Sequence, residues 1–174
     1  MVVRILLGLV ILVAVVLLFA ATKPSTFRIE KSVTIQAPPE KVYALIADFH
    51  NWPQWAPQDR EDPTMQRTYS GAASGLGAVS ECTSKGSACA GQMTITAATA
   101  SSNIDVAVEW KRPFKVRNAH TFTLTPAGNG TQLAWSAEGT NLYIMKVMEV
   151  FVGVNGPMGK HLEAGLANLK KIAE

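Results

Sequence analysis

"VTIQAPPEKVYALIADFHNWPQW", residues 33 to 55, passes from an extended pattern to a helical one within a few positions. Just upstream, the odd positions from Phe27 to Ile35 read Phe, Ile, Lys, Val, Ile, a mostly apolar alternation that predicts a half-buried strand. "APPEK" stops that strand, with Pro39 suited to a first helical turn and Glu40 near the positive end of the helix dipole. Val42, Leu45, Ile46 and Phe49 then recur at i, i+3, i+4 and i+7, one face of an amphipathic helix. Asn51 and Pro53 end that helix or reset it as a second short one. Trp52 and Trp55 follow outside any long apolar run. At such a corner each can wedge apolar bulk while its indole N–H stays near water or backbone. The other reading places the pair at the mouth of a cavity.

Working downstream, "MQRTYSG" and "GAVSECTS" read as strands separated by the glycines at 71, 75 and 77. "GQMTITAATA" and "NIDVAVEW" follow across a Ser-Ser-Asn turn, then "KVRNAHTFTLT" and "TQLAWSAEG" across "PAGNGT", where Asn129-Gly130 is a tight-turn signal. Ile104, Val106, Val108 and Trp110 share one face, as do Val116, Phe122 and Leu124, and then Leu133, Trp135 and Ala137. These strands form an antiparallel meander, each apolar on one side. The chain closes with a helical tract from about Leu142 to Ala173. Its first half, "LYIMKVMEVFVGV", is apolar nearly all round, whereas Met158, Leu162, Gly165, Leu166, Leu169 and Ile172 make a clean stripe in the second. Gly153, Gly156, Pro157 and Gly159 between them predict a kink or break.

Upstream, residues 5 to 22 carry no charge and are just long enough to span a bilayer as a helix. The competing reading is a cleavable signal, but the run exceeds a usual h-region and "LFAATKP" lacks a clean small-x-small cleavage site. Residues 1–22 are therefore read as a single-pass anchor in the cell membrane, 23–26 as a short polar linker, and 27–174 as one domain held close to the membrane. Arg4 on a short tail favours an inside amino terminus, while Lys23, Arg28 and Lys31 argue the other way. The extracytoplasmic side is carried forward as the expectation.

Beyond the anchor the domain is nearly neutral and its charges are dispersed, which excludes a nucleic-acid footprint. Lys111, Arg112, Lys115 and Arg117 do cluster around Pro113-Phe114, either as a solvated hairpin tip or as a patch for anionic head groups. Nothing in the sequence bears on the oligomeric state.

The order of strand, two short helices, about six strands and long helix, together with "AP.E.V...I.D...W..W" in 37–55, "YSGAASGLGA" (69–78), "GQMTI" (91–95) and "MGKHLEAGLANLKKIAE" (158–174), resembles the START-like SRPBCC superfamily. Within it, the chain is most similar to the polyketide cyclase/dehydrase and lipid transport branch. The resemblance covers nearly everything after the anchor and implies an α+β helix-grip fold, a curved antiparallel sheet wrapped around a long C-terminal helix. It also implies a cavity between sheet and helix for a hydrophobic small molecule or lipid. Fold alone does not imply function. Members of the branch often carry an aromatic residue where Cys82 stands, which leaves the pocket's shape there open.

The lining expected for such a cavity is Tyr69, Met93, Trp110, Phe122, Trp135, Met145, Met148 and Phe151, with Met158, because adaptable methionines suit an apolar ligand. A binding domain is the leading expectation. The runner-up is a cyclase/dehydratase-type enzyme with Glu81 or His120 as acid/base in the pocket, and a third reading is an envelope interaction module without a ligand. Glu81 shares a face with Val79 in one register, while the other register turns Cys82 inward with Ser80 and Ala78. No nucleophile–base arrangement is readable, and no cofactor is implied. A tight turn centred on Lys85-Gly86 would set Cys82 opposite Cys89 at a separation where a disulfide is feasible, given an oxidising compartment. In a reducing one both remain thiols. No histidine lies near that pair, so no metal site is expected.

Overall fold

The computed structural model describes residues 2–62, 64–85, 90–112, 115–153 and 156–174. The uncharged amino-terminal run is one helix, α1 (Val2–Ala21), long and apolar enough to cross a membrane and exposed along nearly its whole length. The first strand, β1 (Thr26–Ile35), leads through Pro38 into α2 (Pro39–Ala47). After a 3-10 turn at Phe49–Asn51 come two short helices, α3 (Trp52–Trp55) and α4 (Pro57–Glu61). The sequence predicts a single short helix after α2. Two form because Pro53 and Pro57 each sit in a first turn, where a missing N–H costs nothing.

Six strands follow: β2 (Gln66–Gly71), β3 (Ala78–Thr83), β4 (Ala90–Thr99), β5 (Asn103–Trp110), β6 (Val116–Ala127) and β7 (Gly130–Thr140). They join β1 in one antiparallel sheet ordered β1-β7-β6-β5-β4-β3-β2. Everything from β2 to β7 is meander, and only β1 is brought in from a distance, zipped along its full length to β7. Directly opposed residues share a face, so rows can be read straight across the sheet. One row runs Phe27, Gly139, Asn118, Val108, Met93, Ser80, Tyr69, and another runs Lys31, Trp135, Phe122, Ile104.

The last helical tract is broken as its glycines predict. Its first piece, α5 (Tyr143–Val152), stops at Gly153, whose φ of +74° is the left-handed conformation that favours glycine. The second, α6 (Pro157–Ala173), buries Leu162, Gly165, Leu166 and Leu169 on the inner face of the sheet. Gly165 is required there, since a Cβ would lie 2.6 Å from Cζ3 of Trp135.

Under α6 an aromatic cluster fills the core. Phe122 stacks on Trp135 at 4.9 Å, Trp55 meets Trp135 edge-on at 5.8 Å, and Trp52 lies 4.7 Å from Trp55. Trp52 and Trp55 are buried, and their Nε1–H groups donate to the backbone carbonyls of Ile46 (2.9 Å) and Leu45 (3.2 Å). The tryptophans thus close the corner between α2 and α3 and satisfy the end of α2 while doing so. A buried ion pair ties α4 to the sheet: Arg67 donates to both carboxylate oxygens of Asp59 at 2.6 Å and to Ser80 Oγ at 3.0 Å.

The register of β3 differs from the turn-based expectation. Cys82 faces Gly91 and Thr83 faces Ala90, two residues away from the pairing expected of a turn centred on Lys85-Gly86. A slip of two residues keeps every side chain on its face, and an alternating pattern cannot detect it. Cys89 and Gly86 lie outside the described residues.

Candidate functional site

The stripe of α6 runs out at Met158, and beyond it the inner face of the sheet is left unfilled. Phe27 and Ile29 of β1 and Val116 and Asn118 of β6 form one side of the resulting cavity, whose volume is about 340 Å³. Ile144, Met145, Met148 and Glu149 of α5 cover it, and Pro157 and Met158 close its inner end. Gly139 stands between Phe27 and Asn118 in the same row and contributes no side chain, and the Asn118 amide leans into the space a Cβ would occupy.

The cavity wall is apolar apart from a few polar groups at its rim and floor. Asn118 is 9% exposed, and its Oδ1 has no hydrogen-bond partner among the described residues. Asn141 Nδ2 donates to Glu149 Oε1 at 2.7 Å, and Lys146, also buried, donates from Nζ to Ser25 Oγ at 3.1 Å. A second, larger groove of about 580 Å³ crosses the ends of β1, β6 and β7, but Arg28, Arg117 and Glu138 line it, so it is a charged furrow.

Of the residues expected to line a cavity, Met145 and Met148 do so, joined by Met158. The rest lie elsewhere. Phe122 and Trp135 are packed in the aromatic cluster, and Met93 is buried in the sheet row between Val108 and Ser80. Tyr69 stands on an edge strand with its ring 4.0 Å from His50, and Trp110 is half-buried beside the furrow of Lys111 and Lys115. Phe151 is 72% exposed on α5. An apolar alternation identifies the inner face of a strand but carries no information about which end of that face is left uncovered.

Glu81 pairs across the sheet with Thr68 and Gln92 and is exposed, on the face away from α6, while Cys82, Ser80 and Ala78 turn inward. The register therefore removes Glu81 from any pocket. His120 is buried 3.0 Å from Trp135, whose Nε1–H donates to its Nδ1. The accepting nitrogen cannot carry the proton, so in the neutral ring Nε2 does, and no partner for Nε2 is present among the described residues. Burial first, and the charge of His161 second, lower the His120 pKa to about 4. With its lone pair taken by the indole, this imidazole is not set up as a general base. Among the described residues no group of three His, Cys, Asp or Glu side chains is arranged to hold a metal. Lys111, Arg112, Lys115 and Arg117 are all exposed, Arg117 pairing with Glu109 at 3.0 Å, and Pro113-Phe114 lies outside the described residues.

Sequence reasoning did not single out Asn118, Asn141 or Glu149. Asn118 had a legible signal, an amide at an inward position of an otherwise apolar strand face. The Asn141–Glu149 bond depends on how α5 folds back over β7 and leaves no local trace.

A curved antiparallel sheet gripping a C-terminal helix, with an apolar cavity at one end, defines a helix-grip protein. The chain belongs to the polyketide cyclase / dehydrase and lipid transport family, whose sequence profile matches residues 26–174. Solved structures share the fold. A protein of Chromobacterium violaceum is 18% identical with a TM-score of 0.60, covering 87% of this chain and 99% of its own. Ara h 8.0201 is 14% identical with a TM-score of 0.58, over 85% of this chain and 97% of its own. The di-domain ARO/CYC StfQ from the steffimycin biosynthetic pathway is 13% identical with a TM-score of 0.65, over 85% of this chain and 51% of its own. No curated protein matches the chain.

Proposed function

We propose that the domain binds an apolar or amphipathic small molecule, a lipid being the leading candidate, in the cavity between α5, the start of α6 and the sheet. The observation that carries this reading is an apolar space of about 340 Å³ left open at one end of an otherwise filled core. Membership of a family described by both cyclase/dehydrase and lipid transport activity supports it. Met145, Met148 and Met158 give the wall flexible, polarisable side chains that adapt to a chain-like ligand. Asn118 supplies the polar group that orients its head. The enzymatic alternative has less support, because Glu81 is exposed on the far face and the His120 lone pair is occupied.

In this reading α1 is a single-pass anchor, residues 23–26 its linker, and the domain lies outside the cytoplasm. The compartment rests on Cys82, which is not a free thiol, and on Cys89 as the only other cysteine in the sequence. Their oxidation to a disulfide is testable by mass shift on alkylation with and without reductant, and two free thiols in freshly prepared membranes would reverse the orientation.

Ligand binding is tested on the full chain reconstituted in nanodiscs, by titrating an apolar fluorescent dye and by mass spectrometry of copurifying molecules. Met145→Trp fills the cavity from its lining. The expected result is loss of dye binding and of any copurified lipid, with an unchanged unfolding midpoint. Dye binding equal in Met145→Trp and wild type would overturn the reading.

A further inference from the structure

We propose that α5 lies in the interfacial layer of the bilayer that α1 crosses, with Ile144, Met148 and Phe151 immersed among the lipid chains. This rests on reading α1 as a membrane span. Three observations carry it.

The first is depth. At 1.5 Å per residue the 20 residues of α1 measure about 30 Å, the thickness of a hydrocarbon core. Tyr143, the first residue of α5, donates its hydroxyl to the Leu17 carbonyl at 2.7 Å. Leu17 lies four residues before the end of α1, so this bond holds the start of α5 about 6 Å inside that end. Interfacial helices bury their apolar face by about 5–10 Å, and tyrosine is a residue type concentrated at that depth.

The second is polarity. An ordinary surface helix turns its charges to water and its apolar stripe to the core. In α5 this is reversed: Lys146 is turned inward to Ser25 and Glu149 is bonded to Asn141. Ile144 (46% exposed), Met148 (53%) and Phe151 (72%) form an outward stripe at i, i+4 and i+7. Such a stripe is costly in water and favourable in lipid.

The third is continuity with the cavity. Ile144 and Met148 belong both to this exposed stripe and to the cavity wall, so the space beneath α5 opens on the side that meets the bilayer. A ligand would then enter from the lipid phase without crossing water.

The test places a photo-crosslinking benzoylphenylalanine at Leu9, Phe151 or Leu76 in the full chain, in native membranes. Leu9 lies within α1, and Leu76 is an exposed turn residue (64%) at the opposite end of the sheet from the cavity. All three positions are exposed, so the probe leaves the packing intact. Lipid adducts at Leu9 and Phe151, with none at Leu76, are the expected result. A lipid adduct at Leu9 with none at Phe151 overturns the docking of α5 and leaves the anchor standing. Crosslinking of Phe151 to a second copy of the chain also overturns it, because the stripe is then a protein interface. Absence of a lipid adduct at Leu9, with the protein in the soluble fraction, removes the anchor and the docking with it.

Discussion

The two ends of the sheet's inner face are built from the same strands yet filled in opposite ways. At the end under α6, β5, β6 and β7 present Ile104, Phe122, Leu124, Leu133 and Trp135, and the α2–α3 corner adds Phe49, Trp52 and Trp55. There every large side chain is buried and the indole donors are satisfied. At the other end β1 and β6 present Phe27, Ile29, Val116 and Asn118, and the cover is α5, which buries no apolar residue fully among those described. The inner face is apolar at both ends, so sheet chemistry does not explain the difference. The covering element does: a stripe of leucines clamped on tryptophan closes one end, while a helix whose apolar side chains point outward as well as inward leaves the other open.

The contrast can be broken most directly by deleting bulk from each end in turn. Trp135→Ala removes the centre of the aromatic cluster and leaves His120 Nδ1 without a donor, and a loss of about 3–5 kcal/mol in urea unfolding is expected. Met145→Ala, at the partly exposed cavity wall, should cost less than about 1 kcal/mol. Comparable losses from the two substitutions would erase the distinction.

The packed end should also be the pH-sensitive one. His120 takes up its proton near pH 6.5 in the unfolded chain but only at about 4 when folded. Its contribution is therefore fully present above pH 6.5 and is lost as the pH falls from there towards 4. Between pH 7 and pH 5 this amounts to about 2 kcal/mol, read as a falling unfolding midpoint. The slope should flatten in His120→Gln, and an unchanged slope would assign the effect to another group.

A smaller effect at the packed end concerns the clamp itself. Gly165→Ala gains up to about 1 kcal/mol of helix propensity but pushes a methyl into Trp135, which costs about 1–3 kcal/mol. A net loss of about 1 kcal/mol in thermal or chemical unfolding is expected, and a net gain would show that the α6–Trp135 contact has slack.

These differences explain what could be read beforehand. The last hairpin turns on Gly128-Asn129, one residue before the expected Asn129-Gly130, with Gly128 at a φ of +59°, whereas the strand–helix switch at 33–55, the meander and the break after residue 152 are local, set by alternation, helical spacing, proline and glycine. Each was legible for that reason. The position of the cavity depends on which helix lies over which end of the sheet, and no window of sequence holds that information. Phe122 and Trp135 look as much like a cavity wall as Met145 and Met148 until α6 is placed over the first pair and α5 over the second. Residue parity made Cys82 and Glu81 alternatives, and only the pairing with Gly91 and Gln92 separated them.

The break at Gly153 has a consequence for how the protein opens. Because α5 and α6 are separate helices, the cover of the cavity is not mechanically continuous with the pillar of the core. Lifting α5 breaks the Lys146–Ser25, Asn141–Glu149 and Tyr143–Leu17 hydrogen bonds and exposes none of Leu162, Leu166 or Leu169. Lifting α5 would thus be a sub-global event, opposed by these rim contacts and by the packing of α5 on α1 rather than by the stability of the whole domain. Amide protection along α5 would be lost long before that of α6.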